Sequence, residues 1–259
     1  MDKDYEHFIE QIKKIVGIDL SLYKENQMKR RLKSLYEKNG FQSFTQYAEV
    51  LATNKPLVEE FLDRMTINVT EFFRNQNRWD VLQKNILPML VKNSPQLKVW
   101  SAASSTGEEP YTIAMLLHHL GIKQRASILA TDIDENVLQI ARAGKYPPKA
   151  LENVAETFVK KYFEKDAEMY AVTTELKQMI QYKLLNLLAD PYPNQLDLIV
   201  CRNVLIYFTE EAKEQIYINF SKALKPGGIL FVGSTEQIFN PQKYQLEVVD
   251  TFFYRKISN

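Results

Sequence analysis

The chain has 259 residues, of which 45% are hydrophobic and 25% are charged, so it is long enough for one large domain or for a medium domain and a small one. Its formal net charge of +1 gives no global attraction to nucleic acid, and no apolar run approaches the roughly 20 residues that span a membrane. A charged start without a secretory segment, one cysteine and three histidines predict a cytoplasmic protein with no internal disulfide and no metal site.

Four short amphipathic helices, without strands, are predicted for residues 1 to about 75. Gly17 is placed to end the first helix, Ser43 to cap the third and Pro56 to open the fourth. The apolar positions at helical spacing include Tyr5, Phe8, Ile12, Met28, Leu32, Leu35, Phe44, Tyr47, Phe61 and Leu62. The pattern predicts a small all-α N-terminal domain.

The second predicted helix is locally basic. Between Lys24 and Lys38 it carries six lysines and arginines against two glutamates, a net charge of +4. A charge run of this kind is usually a solvated helix face. The functional alternative is a docking surface that attracts an acidic partner over about 8–10 Å, the Debye length. Nucleic acid is the weaker alternative, because no aromatic residues or glycines are interleaved with the charges.

Residues 66–74, TINVTEFFR, predict a hinge-like segment before the main domain. Thr and Asn side chains compete with helix formation by bonding to nearby backbone groups. A helical pattern resumes at Trp79 and is broken at Asn93–Ser94–Pro95. We therefore place the domain boundary near residue 75, with 76–259 as the main domain and the hinge-like segment as a candidate part of its site.

The main domain is organised around residues 97–111, LKVWSAASSTGEEPY. An apolar run enters a small-residue turn, and a helical pattern begins near Glu108–Pro110. This strand–loop–helix arrangement holds cofactors at the carboxyl end of a parallel strand. A second apolar run, 128–131, ends in Asp132, which lies 25 positions after Gly107 and suits a carboxylate that binds the two hydroxyls of a ribose.

The acidic turn argues against a phosphate ligand. A dinucleotide fingerprint has three glycines, whereas only Gly107 is present here and is followed by Glu108 and Glu109. Acids would repel a phosphate and would favour a cationic ligand that carries a ribose, and S-adenosylmethionine fits that description. The alternatives are an ordinary strand-to-helix turn and, less favoured, a nicotinamide oxidoreductase site.

Residues 145–185 depart from a simple alternation of strands and helices. Asp134 is placed to cap a helix that ends at Gly144, and Pro147–Pro148 follows. A helical patch at 158–163 and strand-like runs at 169–172 and 179–185 predict a small inserted β lobe. It is either a decorated crossover or a second docking surface.

The remaining pattern predicts a doubly wound sheet. The apolar run 196–201 suits a strand buried on both faces, and it ends in Arg202–Asn203. A helix over 209–224, a strand over 229–233 and a closing antiparallel pair over 244–256 follow. The predicted fold class is α/β: a Rossmann-like, mostly parallel sheet with a C-terminal antiparallel hairpin, plus the N-terminal all-α domain and the inserted β lobe.

With these residues laid out, the sequence resembles the CheR family of bacterial chemotaxis receptor methyltransferases, in the form found in Gram-positive bacilli. The matching stretches cover nearly the whole chain in order and are MTINVTEFFR (65–74), VWSAASSTGEEPY (99–111), ATDID (130–134), NLL (186–188) and CRNVLIYF (201–208). The resemblance implies a class I methyltransferase fold. It also implies methyl transfer from S-adenosylmethionine to receptor glutamates, which gives glutamyl methyl esters and S-adenosylhomocysteine.

The resemblance also assigns roles to particular residues. It implies that Arg74 and Tyr207 flank the methyl group, that Asp132 binds the ribose and that Asn186–Leu187 brackets the adenine. The implied cofactor-binding set is Asn68, Thr70, Arg74, Glu108, Asp132, Asn186, Leu187, Arg202 and Asn203. The alternative is a non-catalytic module that binds S-adenosylmethionine or S-adenosylhomocysteine, and the presence of both Arg74 and Tyr207 disfavours it.

The implied partner is the helical methylation region of chemoreceptors, which carries several glutamates. The expected docking residues are Arg30, Arg31 and Lys33 of the basic helix. The enzyme is expected to be a monomer recruited to membrane receptor arrays, with no nucleic acid partner and no direct membrane insertion.

Overall fold

A computed structural model describes residues 3–257. These residues form two compact units. The helical unit contains the chain up to Asn68 together with Val204–Ile216, and the sheet unit contains Val69–Asn203 and the chain from Tyr217 onward. None of the described helices is long and apolar enough to cross a bilayer.

In the helical unit, the described chain before Asn68 forms four α-helices, as the apolar spacing predicts. Gly17 ends the first helix with a φ of +72°, and its N–H donates to the carbonyl of Lys13. The Ser43 hydroxyl accepts the N–H of Gln46, and Pro56 lies in the first turn of the fourth helix. The helices are α1 (Lys3–Val16), α2 (Glu25–Lys38), α3 (Phe44–Leu51) and α4 (Lys55–Met65).

Segment 204–216 joins the helical unit through backbone pairing. Tyr23 and Phe208 form an antiparallel bridge with their rings 5.0 Å apart, and Thr209 donates its N–H to the carbonyl of Leu22 at 2.9 Å. The sequence analysis assigns this segment to the main domain and ends the all-α domain near residue 75. Pairing between distant positions leaves no local pattern, so the sequence alone does not reveal it.

The chain beyond Asn68 contains the remaining elements. Its helices are α5 (Gln76–Val81), α6 (Leu87–Asn93), α7 (Glu108–His119), α8 (Glu135–Ala143), α9 (Glu156–Tyr162), α10 (Thr174–Lys177) and α11 (Glu210–Ala223). Its strands are β1 (Leu97–Ala102), β2 (Ala126–Asp132), β3 (Lys145–Tyr146), β4 (Phe163–Asp166), β5 (Met169–Val172), β6 (Ile180–Leu184), β7 (Leu196–Cys201), β8 (Leu224–Val232), β9 (Leu246–Asp250) and β10 (Phe253–Lys256). A π-helical turn, Leu82–Ile86, joins α5 to α6.

Among the described residues, seven strands form one mixed sheet in the order β6-β2-β1-β7-β8-β10-β9. The first five run parallel, and β10 pairs antiparallel with both β8 and β9. Every residue of β7 is buried, as expected for a strand that is covered on both faces. The predicted mostly parallel, Rossmann-like sheet with a C-terminal antiparallel hairpin is confirmed.

A separate antiparallel sheet of three short strands, in the order β3-β5-β4, follows α8 within the described chain. This is the inserted β lobe, but the run at 179–185 is not part of it. That run contains β6, which pairs in parallel with β2 and forms an edge of the main sheet, so its assignment to the lobe is wrong. The half-exposed pattern of a sheet-edge strand is the same as that of a strand in a small lobe.

One buried ion pair joins the amino ends of three neighbouring strands. The carboxylate of Asp197, in β7, accepts the backbone N–H of Lys98 in β1 at 2.8 Å. It also accepts two hydrogen bonds from the Lys225 ammonium in β8, at 2.8 and 2.9 Å. Asp197 is 4% exposed, so these partners take the place of water around its carboxylate.

Replacing Asp197 with Ala should lower the free energy of unfolding of the sheet unit by about 1–3 kcal/mol, because a backbone N–H and a partly buried ammonium lose their acceptor. Urea denaturation followed by tryptophan fluorescence measures this loss, since both tryptophans, Trp79 and Trp100, are buried in the sheet unit. The control is Glu168→Ala, which removes an exposed carboxylate from the same unit. Equal effects of the two substitutions would refute the structural role of Asp197.

Candidate active site

The carboxyl ends of the parallel strands meet at one rim of the main sheet, where open α/β sheets bind ligands. β1 ends at Ala102, β2 at Asp132 and β7 at Cys201, and the loops that follow carry several predicted cofactor residues. The sheet unit contains Thr70, Arg74, Glu108, Asp132, Asn186, Leu187, Arg202 and Asn203. Asn68 and Tyr207 belong to the helical unit.

Gly107, in the loop after β1, is required by close packing. Its φ is +100°, and a Cβ there would lie 2.9 Å from both the Ala141 Cβ and the Tyr146 hydroxyl. That hydroxyl donates to the carbonyl of Thr106 at 2.7 Å and fixes the loop. The single glycine therefore allows the loop to pack against α8 and β3, and it does not form a phosphate cradle.

Two serine hydroxyls of this loop are buried without a hydrogen-bond partner among the described residues. They belong to Ser104, which is 1% exposed, and to Ser105. The loop backbone is nevertheless fixed, because the N–H of Ser104 donates to the carbonyl of Thr131 at 2.8 Å. Since buried hydroxyls nearly always have a partner, a ligand group or an ordered water is needed to satisfy these two.

Asp132 lies at the end of β2 and connects two loops of the rim. Its carboxylate accepts the N–H of Ser105 at 2.8 Å and the N–H of Asp134 at 3.1 Å. Burial raises the pKa of Asp132 to about 6, and the nearby Asp134 carboxylate acts in the same direction. Asp134 itself caps α8 by accepting the N–H of Asn136, as predicted.

Glu108 and Glu109 open α7, and both are buried. Glu108 accepts a hydrogen bond from the Thr106 hydroxyl at 2.7 Å, and burial raises its pKa. Glu109 accepts one from the Ser101 hydroxyl at 2.8 Å and lies 3.9 Å from the Arg202 guanidinium. Burial raises the pKa of Glu109 to about 7 even though Arg202 opposes the change.

Arg202 is buried within the sheet unit, where its contacts stabilise the fold of that unit. Its guanidinium donates to the carbonyl of Arg74 at 2.8 Å and to the side-chain oxygen of Asn75 at 3.2 Å. It also lies 5.0 Å from the ring centroid of Trp79 and 4.8 Å from that of Phe231. Arg202 therefore connects the end of β7 to the hinge-like segment, in addition to any contact with a cofactor.

Asn203 adopts a left-handed backbone conformation, with a φ of +61°, that depends on Glu236. The Glu236 carboxylate accepts the N–H of Asn203 at 2.6 Å and the N–H of Gly233 at 2.8 Å. A Cβ at Gly233 would lie 2.4 Å from this carboxylate, so glycine is required there. Glu236 thus fixes the loops that follow β7 and β8.

The hinge-like segment is fixed by aromatic packing. Phe72 packs edge-on against Tyr146 and Phe163, and Phe73 packs against Trp79. Arg74 donates from its guanidinium to the carbonyl of Val69 at 3.1 Å, and Thr70 lies in the same partly exposed stretch. Aromatic anchoring holds the backbone on both sides of residue 74 and leaves the Arg74 side chain partly exposed.

Asn186 and Leu187 lie just after β6, which the main sheet places beside β2. The N–H of Leu185 donates to the carbonyl of Asp132 at 2.9 Å, so this turn is adjacent to the end of β2. The Asn186 side-chain oxygen accepts the N–H of Leu188 at 2.9 Å. The structure therefore brings Asn186–Leu187 and Asp132 together.

In the helical unit, Asn68 and Tyr207 each have local partners. The Asn68 amide donates to the Thr66 hydroxyl at 3.0 Å. Tyr207 lies in a 3₁₀ turn, Leu205–Tyr207, and its carbonyl accepts the N–H of Lys24 at 2.9 Å. Of the predicted docking residues, Arg30 and Lys33 are exposed and Arg31 is half-buried.

A cationic cleft of about 650 Å³ lies in the helical unit. Its lining includes Arg30, Arg31, Lys38, Arg64, Ile67 and Tyr207. Lys38 is paired with Glu60 at 2.9 Å and Arg31 donates to the carbonyl of Met65, so Arg30 and Arg64 are the cleft's main attraction for a carboxylate-rich partner.

The charges of the rim fit a cation that carries a ribose better than a phosphate. Three buried acidic side chains, those of Glu108, Glu109 and Asp132, are accompanied by the buried guanidinium of Arg202, and the pKa of Glu109 is raised to about 7. The free acceptor capacity of a carboxylate at Asp132 suits ribose hydroxyls. Within residues 3–257, no group of three or more His, Cys, Asp or Glu side chains is arranged to hold a metal ion.

Comparison with protein families agrees with this geometry. A family model described as "CheR methyltransferase, SAM binding domain" matches residues 68–253, and one described as "CheR methyltransferase, all-alpha domain" matches residues 3–66. The chain belongs to the CheR methyltransferase family. The resemblance inferred from the motifs is therefore confirmed, and this CheR chain is a methyltransferase with an S-adenosylmethionine-binding domain.

Curated relatives of this CheR chain match it nearly end to end. A chemotaxis protein methyltransferase of Listeria monocytogenes is 42% identical over 257 residues, which are 99% of this chain and 98% of the relative. The protein of the same name in Listeria innocua gives the same identity and coverage. One from Borreliella burgdorferi is 37% identical over 236 residues, 86% of this chain and 83% of the relative. Such names do not favour a non-catalytic module.

The sequence motifs do not predict the roles of two residues of the rim. Glu109 belongs to an acidic turn in the sequence, and the structure shows that it is the buried partner of Ser101 and Arg202. Glu236 was not singled out, although it holds two loops of the rim. The STE run at 234–236, directly after a predicted strand end, was the available signal for Glu236.

The buried Glu109 should make the stability of the sheet unit depend on pH. The folded protein holds a proton on Glu109 up to pH about 7, whereas the unfolded chain releases it near the ordinary pKa of 4.5. The free energy of unfolding should therefore fall as pH rises from 4.5 to 7, by up to about 3 kcal/mol more in the wild type than in Glu109→Gln.

Urea denaturation at several pH values, followed by tryptophan fluorescence, gives this difference. Glu168→Gln, at an exposed position, is the matched control and should follow the wild-type profile. Parallel pH profiles of the wild type and Glu109→Gln would show that Glu109 ionises normally.

Proposed function

We propose that this CheR-family methyltransferase esterifies the side-chain carboxylate of glutamates in the cytoplasmic methylation region of chemoreceptors. The observation that carries the proposal is the acid-lined rim, in a chain whose relatives are named chemotaxis protein methyltransferases. S-Adenosylmethionine supplies a methyl group on a positively charged sulfur, and S-adenosylhomocysteine and a glutamyl methyl ester are the products. The enzyme acts as a monomer that is recruited to receptor arrays.

The substrate carboxylate does not need a general base. A glutamate has an ordinary pKa of about 4.3, so it is already ionised at pH 7 and attacks through one of its oxygens. The protein must instead align that oxygen with the bond that breaks and exclude water. Alignment of two reactants contributes up to about 7–11 kcal/mol to lowering a barrier.

Arg74 and Tyr207 are the proposed catalytic residues. The planar guanidinium of Arg74 orients the incoming carboxylate, and the Tyr207 hydroxyl forms a hydrogen bond near the reacting atoms. Opposite charges are neutralised during the transfer, so very tight pairing of the carboxylate would stabilise the ground state more than the transition state. A partly exposed Arg74 suits this requirement.

The cofactor-binding roles follow the rim described above. Asp132 binds the ribose hydroxyls, Asn186–Leu187 brackets the adenine and Glu108 lies near the methionine end. The hydroxyls of Ser104 and Ser105 supply further polar contacts, because they are buried without partners among the described residues. The remaining proposed contacts are Asn68, Thr70, Arg74, Arg202 and Asn203.

Docking of the receptor is assigned to Arg30 and Lys33, on the exposed face of α2. The adjoining cleft adds Arg64, so the surface is complementary to a glutamate-rich helix. Arg31, the third predicted docking residue, is half-buried and has its guanidinium engaged inside the helical unit.

The activity is tested by incubating the purified protein with methyl-labelled S-adenosylmethionine and receptor cytoplasmic fragments. We expect label that is released by mild alkali, as a glutamyl methyl ester requires, and that is lost when individual receptor glutamates are replaced by alanine. Arg74→Ala should transfer little label even when S-adenosylmethionine is supplied at a saturating concentration. Absence of label on several receptors, or label stable to alkali, would refute the proposed reaction.

Cofactor binding and receptor docking should be separable. Arg30→Glu combined with Lys33→Glu should raise the KM for a receptor fragment and reduce its salt dependence, because two docking charges are reversed. The affinity for S-adenosylhomocysteine, measured by calorimetry, should not change in this variant.

Asp132→Asn should change the cofactor affinity and not the receptor KM. It should weaken S-adenosylhomocysteine about tenfold to hundredfold, since a charged acceptor of the ribose is lost, and should leave the receptor KM unchanged. Equal loss of cofactor affinity in the two variants would contradict this division of roles.

A further inference from the structure

Two cationic residues of α2, Lys29 and Arg31, are half-buried; Lys29 lies over the ring of Tyr5, whereas Arg31 contacts Met65 and Tyr207. Arg30, Lys33 and Lys38 are exposed, whereas Arg31 is half-buried. Its guanidinium donates to the carbonyl of Met65 at 2.6 Å, and its central carbon lies 5.8 Å from the ring centroid of Tyr207. A guanidinium held in this way has little freedom to turn towards a partner protein.

The first contact fixes the end of α4. Met65 is the last residue of α4, and the final carbonyls of a helix have no partner within it, so the Arg31 cation both satisfies one and complements the helix dipole. Asn68 follows three positions later, and its amide donates to the Thr66 hydroxyl at 3.0 Å. Arg31 therefore stabilises the turn from which Asn68 extends.

The second contact orients the ring of Tyr207. The backbone of Tyr207 is already fixed, because its carbonyl accepts the N–H of Lys24 and the next residue, Phe208, bridges to Tyr23. Backbone pairing of this kind does not set the direction of the ring. The planar guanidinium of Arg31 over the aromatic face restricts that direction, and a lysine ammonium would not stack in the same way.

We infer that Arg31 is a positioning residue for methyl transfer, which acts by holding the Tyr207 ring and the end of α4, and that it is not a docking residue. The inference rests on the proposed catalytic role of Tyr207 and the proposed cofactor contact of Asn68. It divides the basic helix into an outward docking face, Arg30 and Lys33, and one inward arginine.

The kinetic test compares Arg31→Lys with Arg30→Lys and Arg30→Ala, which alter the same cleft while leaving the Met65 and Tyr207 contacts. Arg31→Lys loses the guanidinium contacts with Met65 and Tyr207, so it should lower kcat about tenfold to hundredfold. Because the charge is kept, the receptor KM and its salt dependence should stay within about twofold of the wild type. Arg30→Ala should raise the receptor KM and leave kcat unchanged. Thermal unfolding confirms that each variant is folded.

A spectroscopic test does not depend on catalysis. The protein is labelled with 3-fluorotyrosine, and the Tyr207 line is assigned as the one missing from Tyr207→Phe. Arg31→Lys should move the Tyr207 line, and Arg30→Lys should not.

The two tests distinguish the possible failures. If Arg31→Lys moves the Tyr207 line but the wild-type protein methylates no receptor, the positioning contact is supported and the proposed function is refuted. An unmoved line, or an Arg31→Lys variant with a raised receptor KM and normal kcat, would overturn the inference and return Arg31 to the docking face.

Discussion

The hydrogen bonds around Asp132 hold the rim of the sheet together. Its carboxylate accepts backbone N–H groups from the loop after β1 and from the start of α8, and its carbonyl accepts the N–H of Leu185 after β6. Three chain segments are thereby fixed around one buried charge. Burial raises the pKa of this carboxyl, and the hydrogen bonds from the backbone N–H groups offset part of the cost of keeping it charged. The proposed ribose contact uses the same rigid group.

Other buried carboxylates of the sheet unit also accept backbone N–H groups and fix loops. Glu236 accepts N–H groups from the loops after β7 and β8, and Asp197 accepts one from β1 at the opposite end of the sheet. A buried carboxylate can accept several hydrogen bonds at once, so one side chain can fix two loops that have no regular pairing. The result is a rim whose loops hold their shape before a ligand binds, as a reaction that depends on alignment requires.

The hinge-like segment is also held rigid, but mainly by aromatic packing. Phe73 and Asn75 have φ values of +51° and +61°, a left-handed conformation that asparagine tolerates but that is unfavourable for the bulky side chain of Phe73. Buried aromatic contacts of Phe72 and Phe73 and the Arg202 bonds to residues 74 and 75 keep the segment in place. Strain of this sort persists where the surrounding structure fixes it, and here it surrounds the proposed catalytic Arg74.

The sequence by itself determined the fold class, the family, the helix ends at Gly17, Ser43 and Asp134 and the position of the rim, because each is encoded in local spacing and short motifs. It did not determine that β6 belongs to the main sheet or that segment 204–216 joins the helical unit, because pairing between distant segments has no local signature. The same holds for single residues. Arg30 and Arg31 are identical in a charge count, and only the tertiary structure shows that one is exposed and the other lies against Met65 and Tyr207. Whether a charged residue binds a partner protein, orients a catalytic residue or stabilises the fold depends on its burial and its contacts. Both are properties of tertiary packing.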